Sequence, residues 1–369
     1  MDLSFRCLDS DTHFGTLITK PLIFTHRRME VKKNTTFSFT CQFSHSVFGP
    51  ACPRGDTFSA GEEQHLKSIL DCDRLIEMAR FYLFIPIGII AISTASIFIK
   101  LCAAPALIIA AYRMTLAALM LMPFACYRKP WRGWERKEIG WFLLSGLFLS
   151  LHFAFWIASL KYTSVASSVV LVTTHPIFVG IGSSLFLNER PGLNLILGIV
   201  FSVFGSGLIG YGDMTLSKEA LTGDGFALLG AVAASGYFLI GRKMRKNQNL
   251  FSYIFPVYST AGLILILLSL VSQKSFWGYS HSAYLFLFLL ALIPQLIGHT
   301  AFNWALKYLP ASMVAIAILG EPIGSTILAY FILGEGLTTW KVLGGLSIFV
   351  GILVALKNTS KSSPISQDV

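Results

Sequence analysis

Charge is what this sequence has least of. Asp, Glu, Lys and Arg make up only 13% of its 369 residues, hydrophobic residues make up 54%, and the mean hydropathy is +0.65. Soluble domains carry about 25% charged residues, and a soluble all-helical chain would need polar helix faces that are missing here. Cysteine is sparse and scattered (Cys7, Cys41, Cys52, Cys72, Cys102, Cys126), and no pair has the C-x-x-C spacing of a metal or redox site. That excludes a disulfide framework and a cysteine metal centre as the organising element. No Gly-Lys-Ser/Thr phosphate loop follows a glycine-rich tract, and Gly205-Ser206-Gly207 lies inside an apolar run. Nor is there a nucleophile with a base in register, or paired acidic metal ligands on neighbouring spans.

The formal charge of +10 does not indicate a nucleic-acid partner. Residues 1–77 hold 9 Lys/Arg against 10 Asp/Glu, so the whole excess lies in the apolar remainder. Residues 1–77 contain no apolar run long enough to span a bilayer and lack the layout of a secretory signal. They read as a polar extension, as a disordered tail, or as sequence upstream of a true start at Met78, where composition changes sharply.

Apolar runs dominate from there. A helix of about 20 residues crosses the ~30 Å hydrocarbon core, and ten such spans are expected near 81–100, 104–126, 139–159, 163–187, 192–211, 223–242, 251–272, 283–304, 311–334 and 338–357. The expected fold is an all-α polytopic membrane protein embedded in a lipid bilayer. Short connections, such as Lys161-Tyr162, make neighbouring spans antiparallel hairpins.

A constant shift of 146 residues, without a gap, superimposes two stretches. Leu160-Lys161-Tyr162 falls on Leu306-Lys307-Tyr308, and His175-Pro176-Ile177 on Glu321-Pro322-Ile323. Leu187-Asn188-Glu189 falls on Leu333-Gly334-Glu335, Leu197-Gly198 on Leu343-Gly344, and Gly205 on Gly351. Leucines match by chance; a Lys-Tyr pair, a proline and a glutamate in one register indicate duplication. Ten spans divide into repeats of five, 78–211 and 223–357, with a tail at 358–369. Five is odd, so the second repeat enters from the opposite face, as in many secondary transporters.

Basic residues test this orientation. Arg128, Lys129, Arg132, Arg136 and Lys137 follow span two, Arg242, Lys243, Arg245 and Lys246 follow span six, and Lys357 and Lys361 follow span ten. The alternate loops carry Lys161, Lys274 and a segment with Asp213, Lys218, Glu219 and Asp224. The positive-inside rule then puts both termini in the cytoplasm.

Ionisable groups at membrane depth are the candidate functional residues, because burying them is costly. Arg113, beside Tyr112, falls mid-span two. His175 and Glu321 fall mid-span four and nine, each just before a helix-breaking proline, Pro176 and Pro322. A proline leaves the carbonyl a turn earlier without its donor, so a polar neighbour finds free dipoles there. The alternative for Arg113 and Glu321 is an ion pair that only ties helices together, and for His175 a neutral ring bonded to a backbone carbonyl. Trp156, His152, Tyr237, Gln295, His299 and Asn303 are further polar or aromatic candidates that serve equally as helix contacts. Gly180, Gly182, Gly198, Gly205, Gly344, Gly345 and Gly351 read as close-packing positions. Glu189 and Glu335, at span ends, read as caps or surface pairs.

Three features resemble the EamA family of the drug/metabolite transporter superfamily over residues 80 to 357. They are Tyr112-Arg113-Met114-Thr115-Leu116-Ala117-Ala118-Leu119, the unit from Pro176 to Leu187-Asn188-Glu189-Arg190, and the unit from Glu321-Pro322 to Leu333-Gly334-Glu335. The resemblance implies a ten-helix inverted-repeat carrier of small metabolites, with a central cavity. Family members include exporters and importers, some of them carriers of S-adenosylmethionine. His175 departs from the Glu-Pro pattern, and residues 1–77 are not a family feature.

The functional expectation is an inner-membrane secondary transporter of a polar or zwitterionic solute, such as an amino acid or S-adenosylmethionine, working by alternating access. Substrate binding falls to Arg113, Glu321, His175, Tyr112, Trp156, Tyr237 and Asn303. No cofactor is called for, a proton gradient is a candidate driving force, and both monomer and homodimer stay open. The rivals are an exporter of lipophilic cations, a channel and a membrane-embedded enzyme.

Overall fold

The computed structural model describes residues 83–189, 191–211 and 217–356. The extension 1–77, the start at Met78 and the tail 358–369 lie outside the described residues. Among the described residues, ten helices follow in order: α1 (Leu83–Leu101), α2 (Ala106–Arg128), α3 (Arg136–Tyr162), α4 (Val165–Phe186) and α5 (Leu193–Tyr211), then α6 (Lys218–Arg245), α7 (Leu250–Val271), α8 (His281–Ala305), α9 (Ala311–Leu333) and α10 (Thr339–Leu356). Eight are long and apolar enough to cross a membrane, and α5 and α10 are shorter apolar helices.

Local sequence sets the ends. A reciprocal Glu135/Glu138 capping box opens α3, and Ser164, Ser217 and Ser280 cap α4, α6 and α8 by accepting a backbone N–H three residues on. Gly334 closes α9 at φ +69°, where a side chain would be strained.

Proline interrupts the helices where the cavity lies. α4 breaks at Thr173–Thr174 and α9 at Leu319, just ahead of His175-Pro176 and Glu321-Pro322. α8 widens to a π-helical stretch at Ala291–His299 around Pro294, a distortion frequent at functional sites.

The two halves meet about a pseudo-twofold axis between α5 and α10. Ser202 donates to the Ile348 carbonyl at 3.5 Å and Ser347 to the Phe201 carbonyl at 2.9 Å, each bond joining two positions 146 apart, in the register of the repeat. Gly198 faces Gly351, and Gly205 faces Gly344. Exchanging the halves turns one glycine contact into the other, so α5 and α10 are antiparallel and the repeat is inverted.

The polarity is that of a lipid-facing bundle. Leu119, Phe124, Phe204, Leu263, Leu346 and Phe349 are all more than half exposed, whereas Arg113 is 0% and Glu321 7% exposed. Apolar groups outside and charges inside suit a hydrocarbon solvent.

Candidate functional site

A small cavity of about 30 Å³ lies where the broken helices cross. α1 gives it Ile92 and Ala95, α2 Arg113, α3 His152 and Trp156, and α4 Val172, Thr173 and His175. From the second half come Ala234 and Phe238 of α6, His299 and Phe302 of α8, and Ile318 and Glu321 of α9. Four pairs related by the 146-residue shift line it: Ile92/Phe238, Trp156/Phe302, Val172/Ile318 and His175/Glu321. The cavity therefore lies on the pseudo-twofold axis, and its chemistry comes from where the repeat is broken.

Arg113 is held from one side only. Its Nε donates to Gln295 Oε1 at 2.9 Å, from the π-helical stretch of α8, and its guanidinium lies 4.1 Å from the Phe153 ring centre. Both terminal nitrogens, Nη1 and Nη2, are buried without a hydrogen-bond partner. The fork matches a carboxylate in geometry and charge. Glu321 is the carboxylate whose charge acts on Arg113, yet the two make no ion pair among the described residues. The helix-tying pair weighed above is not formed.

His175 explains its own proline. Pro176 has no N–H to offer the Val172 carbonyl, and His175 Nδ1 lies 3.2 Å from that oxygen. A carbonyl only accepts, so Nδ1 carries the proton and the neutral ring presents Nε2, which is buried and unpartnered, as an acceptor. The same logic applies to His152, whose Nδ1 donates to the Gly230 carbonyl at 2.9 Å. The Trp156 indole N–H is also buried without a partner, and its ring stacks on His152 at 5.9 Å. The site thus offers donors from Arg113 and Trp156 and acceptors from Glu321 and His175.

Three expected residues lie elsewhere. Tyr112 donates to the Phe276 carbonyl at 2.8 Å and packs against the Phe276 and Tyr284 rings, outside the cavity lining. Tyr237 and Asn303 bond each other at 2.5 Å, and Arg245 donates to the Asn303 carbonyl at 2.9 Å. Those two form a buried polar knot beside the cavity, not in its lining.

The sequence model of the EamA-like transporter family matches residues 79–211 and again 221–357. The chain belongs to the EamA-like transporter family. An "Uncharacterized transporter" of Archaeoglobus fulgidus is 24% identical over 73% of this chain and 94% of its own length. The Bacillus subtilis "Uncharacterized transporter YdfC" is 27% identical over 70% and 84%. "Solute carrier family 35 member G1" of Mus musculus is 28% identical over 69% and 71%. One crystallised protein, 18% identical, superposes with a TM-score of 0.63 over 77% of this chain and 98% of its own, which shows a shared fold. This EamA-like protein is therefore a membrane transporter of a small molecule.

The proline breaks make a prediction of their own. In Pro176→Ala the backbone N–H returns and competes with His175 for the Val172 carbonyl. With a hydrogen bond of ~1 kcal/mol, amide exchange in this turn is expected to slow about fivefold in the bilayer-reconstituted protein. An unchanged exchange rate would show that the turn is set by packing instead.

Proposed function

We propose that this transporter carries a zwitterionic metabolite of the amino-acid class, S-adenosylmethionine included, across the cytoplasmic membrane by alternating access. One observation supports this most: the unpartnered Nη1 and Nη2 of Arg113 and the carboxylate of Glu321 share one buried cavity without pairing with each other. A zwitterion supplies the missing partner to both, its carboxylate to Arg113 and its ammonium to Glu321 and His175 Nε2. Trp156, Phe238 and Phe302 then cover the apolar part of the solute. Cytoplasmic termini follow from the basic residues after α2 and α6, and both repeats of five helices contribute to the cavity lining. Glu321 is also the group to take up a coupling proton.

The rival is an exporter of lipophilic cations. The aromatic lining and Glu321 suit such solutes, but a fixed guanidinium in the same cavity repels them.

Uptake and counterflow in proteoliposomes, with labelled amino acids and S-adenosylmethionine and with or without a proton gradient, test the proposal. Saturable transport is expected, and Glu321→Gln is expected to lose at least about 100-fold in rate, because the ammonium then faces a neutral amide. Movement of cationic dyes in place of every zwitterion would overturn the reading.

A further inference from the structure

The 146-residue shift relates more than the cavity lining. It carries Glu189 onto Glu335 and Lys100 onto Lys246, all four at helix ends. Exchanging the halves therefore turns a Glu189–Lys246 contact at one end of the bundle into a Glu335–Lys100 contact at the other.

Only the first is closed. Glu189 Oε1 lies 3.2 Å from Lys246 Nζ and 2.7 Å from Arg242 Nε, and Glu189 Oε2 accepts from the Ala311 N–H at 3.4 Å. Arg242 also donates to the Leu306 and Lys307 carbonyls at 2.9 Å. The segment between α4 and α5 is thus tied to α6, to the end of α8 and to the start of α9, across the two halves. At the other end Lys100 and Glu335 form no ion pair with each other among the described residues. Lys100 donates to the Thr163 carbonyl at 3.2 Å, within the first half, and Glu335 lies 3.8 Å from Lys341, within the second. Glu335 is nonetheless the acidic charge that acts on Lys100, and the ends of α1 and α9 pack together.

We infer that Glu189–Lys246 and Glu335–Lys100 are the two latches of the transport cycle, closed alternately. This rests on the alternating-access part of the reading above, not on the choice of solute. The structure is the state with the Glu189 latch shut and the Glu335 latch released. The repeat is asymmetric in one respect that sets the resting state. Arg242 reinforces the first latch, and its counterpart under the shift is Ser96, which brings no charge. Glu189 faces two cations from the opposite half, whereas Glu335 faces one, Lys100, and is held by Lys341 of its own half, so the substrate-free protein rests closed at the Arg242 end. Two discrete arrangements with unequal contacts are what a population shift requires.

Electron-paramagnetic distance measurements on the full-length protein in lipid nanodiscs, cysteine-free and without solute, test this. Spin labels at Gly192 and Asn247 report one end, and at Ala103 and Gly336 the other; all four positions are exposed. Glu189→Gln is expected to lengthen the first distance and shorten the second, and Lys246→Gln to do the same to a smaller extent, since Arg242 remains. Glu335→Gln is expected to abolish the minor population with a short Ala103–Gly336 distance and leave the first end shut. Unmoved distances in both Glu189→Gln and Lys246→Gln, or both ends loosening together, would overturn the inference. No solute is present, so a failed transport panel leaves this result standing.

Discussion

Changing Arg113 to glutamine is expected to abolish transport while leaving insertion intact, and changing it to lysine to raise KM by about 100-fold. The two variants separate charge from geometry. Glutamine leaves Glu321 as an uncompensated charge in a closed cavity, a loss of ~3–5 kcal/mol for a buried partner, which corresponds to more than two decades in affinity. Lysine keeps the positive charge but loses three features of the arginine: the Nε–H bond to Gln295 Oε1, the stacking on Phe153 and the two-pronged donor. A bidentate, charge-assisted pair is replaced by a mobile point charge, worth roughly 3 kcal/mol less to a carboxylate, hence the 100-fold. Gln295→Leu separates the roles further. It leaves Arg113 unsteered but charged, so KM is expected to rise by less than in Arg113→Lys while the maximal rate holds. Equal activity of wild type and Arg113→Lys for every zwitterion tested would show that the guanidinium serves the bundle and not the solute.

The sequence carried the helices and the axis because both are periodic. Apolar length alone places ten spans to within a few residues, and the shift that aligns His175-Pro176 with Glu321-Pro322 brings those two positions to one cavity. The three residues that fall outside the cavity share one cause. Tyr112, Tyr237 and Asn303 are each next in sequence to a lining residue, Arg113, Phe238 and Phe302 respectively. On an α-helix a neighbour points about 100° away, so depth in the membrane was legible and azimuth was not. The shift itself held the missing signal. Trp156, itself a candidate, is carried onto Phe302, which selects Phe302 over Asn303 from the sequence alone; Phe238 had no such signal, because its counterpart Ile92 is an apolar residue that only the cavity singles out. The unequal latches were equally present as Glu189/Glu335 and Lys100/Lys246, but which one is shut depends on packing that no sequence period records.

The second large effect is expected on assembly, at Gly205. A methyl group there would stand 2.5 Å from the Gly344 carbonyl oxygen and 2.8 Å from the Ile348 nitrogen, and at Gly198 it would stand 2.7 Å from the Gly351 oxygen. These obstacles are backbone atoms in a facing helix, so they yield only if α5 and α10 move apart. In a membrane, helix association rests on such close packing, since lipid is as apolar as the side chains it would replace. Gly205→Ala is expected to cost ~1–3 kcal/mol, the usual range for overpacking, and Gly205→Leu more. Gly207 provides the control: a methyl there meets nothing within 4 Å, so Gly207→Leu turns a side chain toward lipid at little cost. Thermal unfolding in detergent is expected to give a clearly lowered apparent Tm for Gly205→Leu and a wild-type value for Gly207→Leu. Coupling distinguishes the axis from general crowding. Gly205 and Gly344 meet at one crossing, so the double alanine variant should cost less than the sum of the singles. Gly205 and Gly198 lie about two helical turns apart, so their costs should add. Equal Tm losses from Gly205→Leu and Gly207→Leu would mean that the α5–α10 contact does not hold the two halves together.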